Sequence, residues 1–221
     1  MCGRYALERI DALQLRFDLP EPPPAELTAH YNAAPGQTLP VVVAAGDQRA
    51  LKTMRWGLIP SWAKDPQIGY RTINARAEGL ADKPSFRAPF RRQRCLVPAS
   101  GFYEWRKDNG RKVPYFIHRQ DGDLVALAGL WDRWRDPAGQ EVESYTIITT
   151  SPNDVVAPLH DRMPVILERE HEEAWLDPAQ HDPHLLALFL KPYAAEPMEA
   201  YPVSPAINTV RNNGAELITP L

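Results

Sequence analysis

The sequence predicts an α+β fold in which short antiparallel strands form a barrel-like core and short helices lie at its periphery. Two observations carry this prediction. Short apolar runs separated by Gly, Asn and Asp turn residues recur through much of the chain, as is typical of antiparallel strands joined by tight turns. Proline is abundant, at 23 of 221 residues. Because proline breaks helices and is excluded from central strands, it favours short elements and fixed loops.

The N-terminal half predicts one hairpin among short helices and loops. Ile10, Leu13 and Phe17 recur at helical spacing. In chain order, we expect a helix over 6–18, a rigid connection over 21–31, strands over 38–45 and 50–56 joined at Gly46 and Asp47, a loop over 57–70, a short helix ending near 80, and a helix over 84–94 with Phe86 and Phe90 facing inward. Four arginines of that last helix suggest a solvated face; they are Arg87, Arg91, Arg92 and Arg94.

The C-terminal half predicts most of the sheet. Asn109 and Gly110 lie between apolar runs, which is the strongest short signal for a β-hairpin. In chain order, we expect strands over 95–98, 101–107, 114–118, 124–131, 143–149 and 163–167, helices over 168–176 and 184–190, and an extended tail over 198–221.

Length and composition favour one domain spanning residues 1–221. The chain is long enough to bury a substantial core, and its 44% hydrophobic and 24% charged residues are close to the average for soluble globular proteins. The formal net charge of −3 argues against binding nucleic acid by bulk attraction. Any such binding must come from a local basic groove.

Neither a membrane span nor a secretory signal is visible. The longest apolar tract, 39–45, is far shorter than the roughly 18 residues that a spanning helix needs, and charged residues occupy the N-terminus where a signal peptide is apolar. The two cysteines, Cys2 and Cys95, have no metal-ligand or disulfide-framework spacing. We therefore expect a cytoplasmic protein with no metal, no cofactor and no membrane partner.

Cys2 has unusual chemical potential because it directly follows the initiator Met1. If Met1 is removed, Cys2 carries a free α-amine and a thiol. This pair can capture an aldehyde: the amine forms an imine, and the thiolate closes onto the imine carbon to give a thiazolidine. Ring closure is intramolecular, and effective molarities in such reactions reach roughly 10⁵–10⁸ M. The ordinary alternative is a small buried hydrophobic residue near a terminus.

Four further polar residues stand in unusual local settings. Asn74 and Arg76 lie between apolar neighbours at a loop boundary, and Glu104 is flanked by two aromatic residues in an apolar strand. If Glu104 is in a pocket, desolvation raises its pKa towards the range useful for acid–base chemistry. His160 lies in a loop that enters a strand. Taken singly, these could be a cap, a surface carboxylate and a hydrogen-bonded histidine.

Taken together, the motifs resemble those of the SRAP family, the SOS response-associated peptidases. The motifs are Cys2-Gly3-Arg4-Tyr5, the stretch 31–36, the stretch 73–78, the runs 94–98 and 101–105, the stretch 160–164, and Val203-Ser204. The resemblance covers nearly the whole chain. It implies the barrel-like β core of the family, with a positively charged groove for single-stranded DNA that leads to Cys2.

The resemblance also implies a reaction: Cys2 forms a thiazolidine crosslink with the ring-opened aldehyde of an abasic site in single-stranded DNA and so protects the lesion. Lyase-type chemistry and autoproteolytic removal of Met1 belong to the same expectation, as do a monomeric state and, in a bacterium, association with the nucleoid.

The family pattern assigns roles to individual residues. Cys2 is the nucleophile, Asn74 orients it through hydrogen bonds, Glu104 moves protons around the opening sugar and the imine, and His160 is an acid–base on the sugar oxygen and in reversal. Candidate DNA contacts are Arg4, Trp62, Arg76, Thr149 and Arg162. Trp62 is followed by Ala63 where some members have a second tryptophan. A nearby Arg4 or Arg76 would lower the pKa of the thiol and of the amine.

Two other classes of function remain open. In an N-terminal nucleophile hydrolase, Cys2 would attack an amide with its own amine as the base, and the enzyme would turn over its substrate. A non-catalytic reader of modified DNA would not need Cys2.

Overall fold

The computed structural model describes residues 2–108 and 110–221, and its strands form two sheets with four short α-helices around them. The strands are β1 (Tyr5–Leu7), β2 (His30–Ala33), β3 (Thr38–Ala45), β4 (Gln48–Trp56), β5 (Asn74–Arg76), β6 (Arg94–Ala99), β7 (Gly101–Asp108), β8 (Arg111–Arg119), β9 (Val125–Arg135), β10 (Glu141–Thr150), β11 (Met163–Pro164), β12 (Ile166–Leu167) and β13 (Met198–Pro202). The helices are α1 (Leu13–Arg16), α2 (Arg87–Arg92), α3 (Glu172–Leu176) and α4 (Pro183–Ala187). Short 3₁₀ helices cover Pro66–Arg71, Ala77–Gly79, Arg169–His171, Pro205–Asn208 and Ala215–Ile218.

Five strands of the larger sheet close into a barrel. Their pairings form the ring β10–β4–β3–β6–β9–β10, and β5, β11 and β12 are attached to its edges. All pairings within the ring are antiparallel except β10–β4, where Tyr145 lies opposite Trp56 in a parallel register. The predicted α+β fold with a barrel-like antiparallel core is confirmed, with this one parallel junction.

The barrel interior is a close-packed apolar core that contains Cys95. A Cβ atom at Gly129 of β9 would lie 2.7 Å from Cys95 Sγ and 3.1 Å from the carbonyl oxygen of Thr146, so only glycine fits there. Cys95 is fully buried, and burial raises the pKa of its thiol. The role of Cys95 in this fold is packing.

The second sheet has the order β13–β8–β7–β1–β2, and it positions the N-terminus. Tyr5 of β1 lies opposite Phe102 of β7 on one side and Ala33 of β2 on the other. The first strand is therefore fixed between two neighbours from distant parts of the chain.

The predicted helix over 6–18 is wrong in its first half. Residues 5–7 form β1, and only Leu13–Arg16 are helical. The helical spacing is real, because Leu13 and Phe17 are fully buried. The segment before them joins the sheet, since pairing with β7 and β2 outweighs a weak local preference for helix.

Most other predicted elements are found, with shifted ends. The hairpin of β3 and β4 turns at Gly46, whose φ is +66°. Asn109 of the second predicted turn lies outside the described residues, but β7 and β8 pair up to Asp108 opposite Arg111. Phe86, directly before α2, and Phe90 within it are buried as predicted.

Three expectations need correction. The predicted strand over 163–167 is two short strands with different neighbours, β11 against β10 and β12 against β9. The C-terminal tail is not extended throughout, because two 3₁₀ turns follow β13. Arg94 is buried, not solvated, and its guanidinium donates hydrogen bonds to the carbonyl oxygens of Phe90 and Trp175.

Among the described residues, no helix is long and apolar enough to cross a membrane. Nor do any three or more His, Cys, Asp or Glu side chains in this part of the chain come together in a group that could hold a metal ion.

Candidate active site

The register of β1 against β7 brings the N-terminal residues beside Glu104. Tyr5 lies opposite Phe102, and the backbone N–H of Tyr103 donates to the carbonyl oxygen of Arg4 over 3.0 Å. Because the strands are antiparallel, the same register continued places Gly3 opposite Glu104. Cys2 is the next residue, so sheet pairing alone carries it to the neighbourhood of this carboxyl group.

The Cys2 thiol is fully buried and donates a hydrogen bond to the carbonyl oxygen of Arg4, with Sγ and oxygen 3.7 Å apart. Burial raises the pKa of this thiol, and the charge of Glu104 raises it further. The expectation that Arg4 or Arg76 lowers the thiol pKa is therefore not met. In the chain that retains Met1, Cys2 is a protonated thiol. Met1 itself lies outside the described residues.

A cavity of about 500 Å³ brings Glu104 and His160 together. These two residues come from β7 and from the loop before β11, more than fifty positions apart in the chain. Four other side chains line the cavity: Trp105, Lys107, Lys112 and Asn208. The two residues predicted to handle protons thus face one common space.

Glu104 is only 2% exposed, and burial raises its pKa to about 7. Water normally stabilises the carboxylate form, so its exclusion favours the protonated acid. The Asp161 carboxylate acts in the same direction. A carboxyl group with a pKa near neutrality is present in both forms at physiological pH, so it can accept a proton in one step and return it in the next.

His160 is held in one tautomer by its neighbours. Its Nδ1 accepts a hydrogen bond from the backbone N–H of Arg162 over 3.0 Å, and Asp161 Oδ1 lies 2.8 Å from the same nitrogen. Nδ1 cannot accept from Arg162 and donate to Asp161 at once. Burial lowers the pKa of His160, and Asp161 is largely exposed, so the neutral ring with the Arg162 bond dominates. The ring proton is then on Nε2.

Arg162 links His160 to β10 and to Glu78. Its Nη1 and Nη2 donate to the two carboxylate oxygens of Glu78 over 2.7 and 2.9 Å, and Nη2 also donates to the carbonyl oxygen of Thr149 over 2.5 Å. The guanidinium lowers the pKa of Glu78 through these bonds. The Arg162 fork predicted to bind phosphate is therefore occupied by a carboxylate of the chain itself.

Asn74 and Arg76 lie on β5, parallel to β10, with Asn74 opposite Ile147 and Arg76 opposite Thr149. Asn74 Nδ2 donates to the carbonyl oxygen of Ile73, whereas Oδ1 is buried with no hydrogen-bond partner among the described residues. No hydrogen bond joins Asn74 to Cys2 in this part of the chain. Arg76 is two residues further along β5, so it lies on the same face of the strand as Asn74, and it is exposed.

Two predicted DNA contacts, Arg4 and Trp62, do not line the cavity. The Arg4 guanidinium donates to Asn32 Oδ1 over 2.7 Å and to the carbonyl oxygen of Ile207 over 3.0 Å. It therefore fixes the C-terminal segment against β2. Trp62 is 57% exposed, and it lines a separate cavity of about 450 Å³ together with Tyr70, which is 63% exposed.

Sequence reasoning missed Lys107, Lys112 and Asn208. Asn208 Oδ1 accepts a hydrogen bond from Trp105 Nε1 over 2.8 Å, which joins residues 103 positions apart. No local pattern signals such a contact. For the lysines a signal existed, because the Asn109–Gly110 turn predicts the hairpin that places them opposite each other.

Comparison with known proteins gives consistent results. The sequence profile of SRAP, "SOS response associated peptidase (SRAP)", matches residues 1–210. Abasic site processing protein YoqW of Bacillus subtilis (strain 168) is 46% identical over 221 residues, which cover 99% of each chain. Abasic site processing protein HMCES of Gallus gallus is 35% identical over 86% of this chain and 66% of its own length.

Solved structures show the same architecture. A crystal structure of a Bacteroides thetaiotaomicron protein superposes with a TM-score of 0.88, at 30% identity and with both chains fully covered. One from Bordetella bronchiseptica gives a TM-score of 0.80, at 30% identity, over 92% of this chain and all of the other.

Proposed function

Because the chain belongs to the SRAP family, SOS response associated peptidase, we propose that it processes abasic sites in DNA by forming a covalent crosslink through Cys2. The names of its relatives, abasic site processing proteins at up to 46% identity, support the substrate. The observation that carries the proposal is the shared cavity of Glu104 and His160 beside the strand that begins at the N-terminus.

The first step opens the sugar of the abasic site. An abasic deoxyribose is a cyclic hemiacetal, so the ring opens when its C1 hydroxyl loses a proton and the bond from C1 to the ring oxygen breaks. The Glu104 carboxylate accepts the hydroxyl proton and returns it to the ring oxygen as the C1–O bond breaks, while His160 Nε2–H donates a hydrogen bond that stabilises the negative charge on that oxygen. Both side chains end the step in the protonation state in which they began it. The neutral His160 tautomer suits this hydrogen bond, since Nε2 is the nitrogen that carries the proton.

The second step joins protein and DNA. Removal of Met1 frees the α-amine of Cys2, whose reference pKa of about 7.7–8.0 leaves it largely protonated at neutral pH. Glu104 takes the ammonium proton, the amine attacks the aldehyde carbon, and one water leaves to give the imine. The Cys2 sulfur then bonds to the imine carbon while the thiol proton moves to the nitrogen. The balance is protein plus DNA giving adduct plus water.

Burial of Cys2 affects the order of these steps. Because the thiol pKa is raised, little thiolate exists before the substrate arrives, and the amine is the better first nucleophile. The imine then makes sulfur attack intramolecular. Asn74 Oδ1, a buried acceptor without a partner in the described structure, is a suitable group to hold the freed amine.

The proposal includes single-stranded DNA as the partner, with Arg76 and Trp62 along its path, and one protein chain for each lesion. Thr149 is fully buried and the Arg162 fork is bonded to Glu78, so neither is a direct DNA contact in the free protein. Arg76 and Trp62 are exposed and can contact DNA directly. Exposed tryptophan is suited to stacking on an unpaired base.

The test mixes the full chain with a single-stranded oligonucleotide that carries one abasic site, followed by a denaturing gel and intact mass spectrometry. We expect a 1:1 species with the mass of the chain lacking Met1, plus DNA, less one water. Cys2→Ala should abolish it, and Cys95→Ala, which changes the other buried cysteine, should retain it wherever the variant folds.

The outcomes separate the candidate functions. A stoichiometric adduct that needs Cys2 supports crosslinking. Loss of Met1 without any covalent species, together with turnover of an amide substrate, would favour an N-terminal nucleophile hydrolase. Tight binding to the abasic oligonucleotide that is unchanged in Cys2→Ala, again without an adduct, would favour a reader.

A further inference from the structure

Two lysines face each other at the end of the hairpin that carries Glu104. Lys107 of β7 and Lys112 of β8 are direct cross-strand partners, and both are exposed. Like charges directly opposite each other on neighbouring strands destabilise a sheet. Among the described residues, no carboxylate lies within ion-pair distance of either lysine. Asp108, which follows Lys107 in the chain, lies 3.7 Å from Arg106 Nη2.

The same two lysines line the cavity of Glu104 and His160. Strand residues rise by about 3.3 Å each, so Lys107 is about 10 Å along β7 from Glu104. An anion that extends through the cavity from the catalytic pair therefore meets two ammonium groups at its other end. The chain as a whole has a net charge of −3, so a polyanion is held by a local patch of this kind and not by bulk attraction.

We propose that Lys107 and Lys112 form a phosphate-binding subsite that holds the backbone of the damaged strand on one side of the lesion, and that this subsite contributes to binding and not to the reaction. The inference rests on the proposed function, because it takes the occupant to be the strand that carries the abasic site. The repulsion between the two lysines destabilises the hairpin in the free protein, and bound phosphates offset it by neutralising their charge.

The test measures binding without chemistry. A single-stranded oligonucleotide with a tetrahydrofuran residue in place of the abasic sugar has no aldehyde and cannot crosslink. Its affinity for the wild-type chain and for the double variant Lys107→Gln/Lys112→Gln is measured by fluorescence anisotropy between 50 and 200 mM salt. Each phosphate contact in a single strand contributes about 0.7 to the slope of log affinity against log salt.

We expect the double variant to have a slope lower by about 1.4, so that wild-type affinity falls roughly sevenfold more than variant affinity across this salt range. The control is Arg169→Gln/Lys191→Gln, which removes the same charge from exposed positions outside the cavity and should leave the slope unchanged. An equal loss of slope in both double variants would overturn the subsite, since the effect would then be general electrostatics.

Two more measurements show on which side of the lesion the lysines bind the strand and whether they act in binding alone. With tetrahydrofuran at the 5′ end in one oligonucleotide and at the 3′ end in another, the lysine effect should persist for one and vanish for the other. With a true abasic oligonucleotide at saturating concentration, the rate of adduct formation in the variant should equal that of the wild type. A slower rate at saturation would contradict a pure binding role, and no adduct in the wild type would instead contradict the proposed function.

The free protein gives a separate test of the charge argument. Lys112→Gln should unfold at the same temperature as the wild type or higher, because it removes a repulsive cross-strand pair. A lower unfolding temperature would show that the lysines stabilise the hairpin and would argue against a pair kept for a ligand.

Discussion

The backbone N–H of Arg162 donates a hydrogen bond to Nδ1 of His160 over 3.0 Å. This bond fixes Nδ1 as an acceptor and leaves the proton on Nε2, the nitrogen that serves the proposed ring opening. Nitrogen-15 NMR of the imidazole should therefore show Nε2–H as the main neutral tautomer. Because burial lowers its pKa, His160 should gain its second proton below the usual pH of about 6.5. A main Nδ1–H signal would contradict the assignment.

The same bond predicts different effects for two isosteric substitutions at His160. Glutamine can place an amide N–H where Nε2–H lies, whereas asparagine can only replace Nδ1 and its bond to Arg162. We expect His160→Gln to slow adduct formation less than His160→Asn, whose loss should approach the roughly 10²-fold or more typical of a missing hydrogen-bond donor to a developing oxyanion. The reverse order would show that the orientation of the Arg162 loop, and not Nε2, matters.

Glu104→Gln should slow adduct formation about 10²-fold, because the amide cannot accept the hydroxyl and ammonium protons. The wild-type rate should rise with pH through about 7, as Glu104 ionises. The variant should lack this rise and keep only the one that follows deprotonation of the Cys2 amine, at about pH 7.7–8.0. Single-turnover gel assays from pH 5.5 to 8.5 test both points. A variant that crosslinks at the wild-type rate over this range would remove Glu104 from the mechanism.

Glu104 should also make folding stability depend on pH. Its pKa in the folded chain is raised to about 7, so the native state holds more protons than the unfolded state between about pH 4.5 and 7. Stability therefore falls as pH rises through that window. Glu104→Gln lacks this loss, so its stability relative to wild type should increase by up to about 1.4 kcal/mol per pH unit there. Urea unfolding at pH 5 and at pH 7.5 measures this change. An equal difference in unfolding free energy between variant and wild type at both pH values would contradict the buried carboxyl.

Glu78→Gln should strengthen binding of single-stranded DNA by a few-fold at low salt. The Glu78 carboxylate occupies both Nη atoms of Arg162, and a phosphate would need the same fork. Glu78 is 61% exposed, so removing its charge should cost no more than about 1 kcal/mol of stability. The comparison uses the tetrahydrofuran oligonucleotide, with Glu170→Gln as an exposed control. Weaker binding by Glu78→Gln would mean that Glu78 positions Arg162 and does not compete with phosphate.

Gly57→Ala should destabilise the fold by about 3 kcal/mol. Gly57 has φ of +119°, and a Cβ atom there would lie 2.6 Å from the carbonyl oxygen of Gly69, so backbone strain and steric overlap combine. Gly46→Ala is the matched control, because Gly46 has φ of +66° with open space around it. Its cost should be only the 1–2 kcal/mol of the left-handed conformation. Equal unfolding free energies for both variants would show that the Gly57–Gly69 approach relaxes freely.

The sequence by itself determined the local elements and the family. Hairpins are set by residues close in the chain, so the turn at Gly46 and the strands around it could be predicted almost to the residue. The spaced motifs around Cys2, Asn74, Glu104 and His160 likewise needed no structure to indicate SRAP membership, which the family profile confirms. The chemistry open to Cys2 once Met1 is removed follows from its covalent position alone.

Only the tertiary structure decided where the side chains lie and what their charges do. Residues 5–7 are a strand because β7 and β2 accept them, and no local pattern records that choice. Burial raises the pKa of the Cys2 thiol and of the Glu104 carboxyl group. Of the two arginines expected to lower the thiol pKa, Arg4 is bonded to Asn32 and Ile207, and Arg76 is exposed. Desolvation and ion pairing depend on atoms far apart in the chain, so the sequence names the reacting groups but the fold sets their protonation.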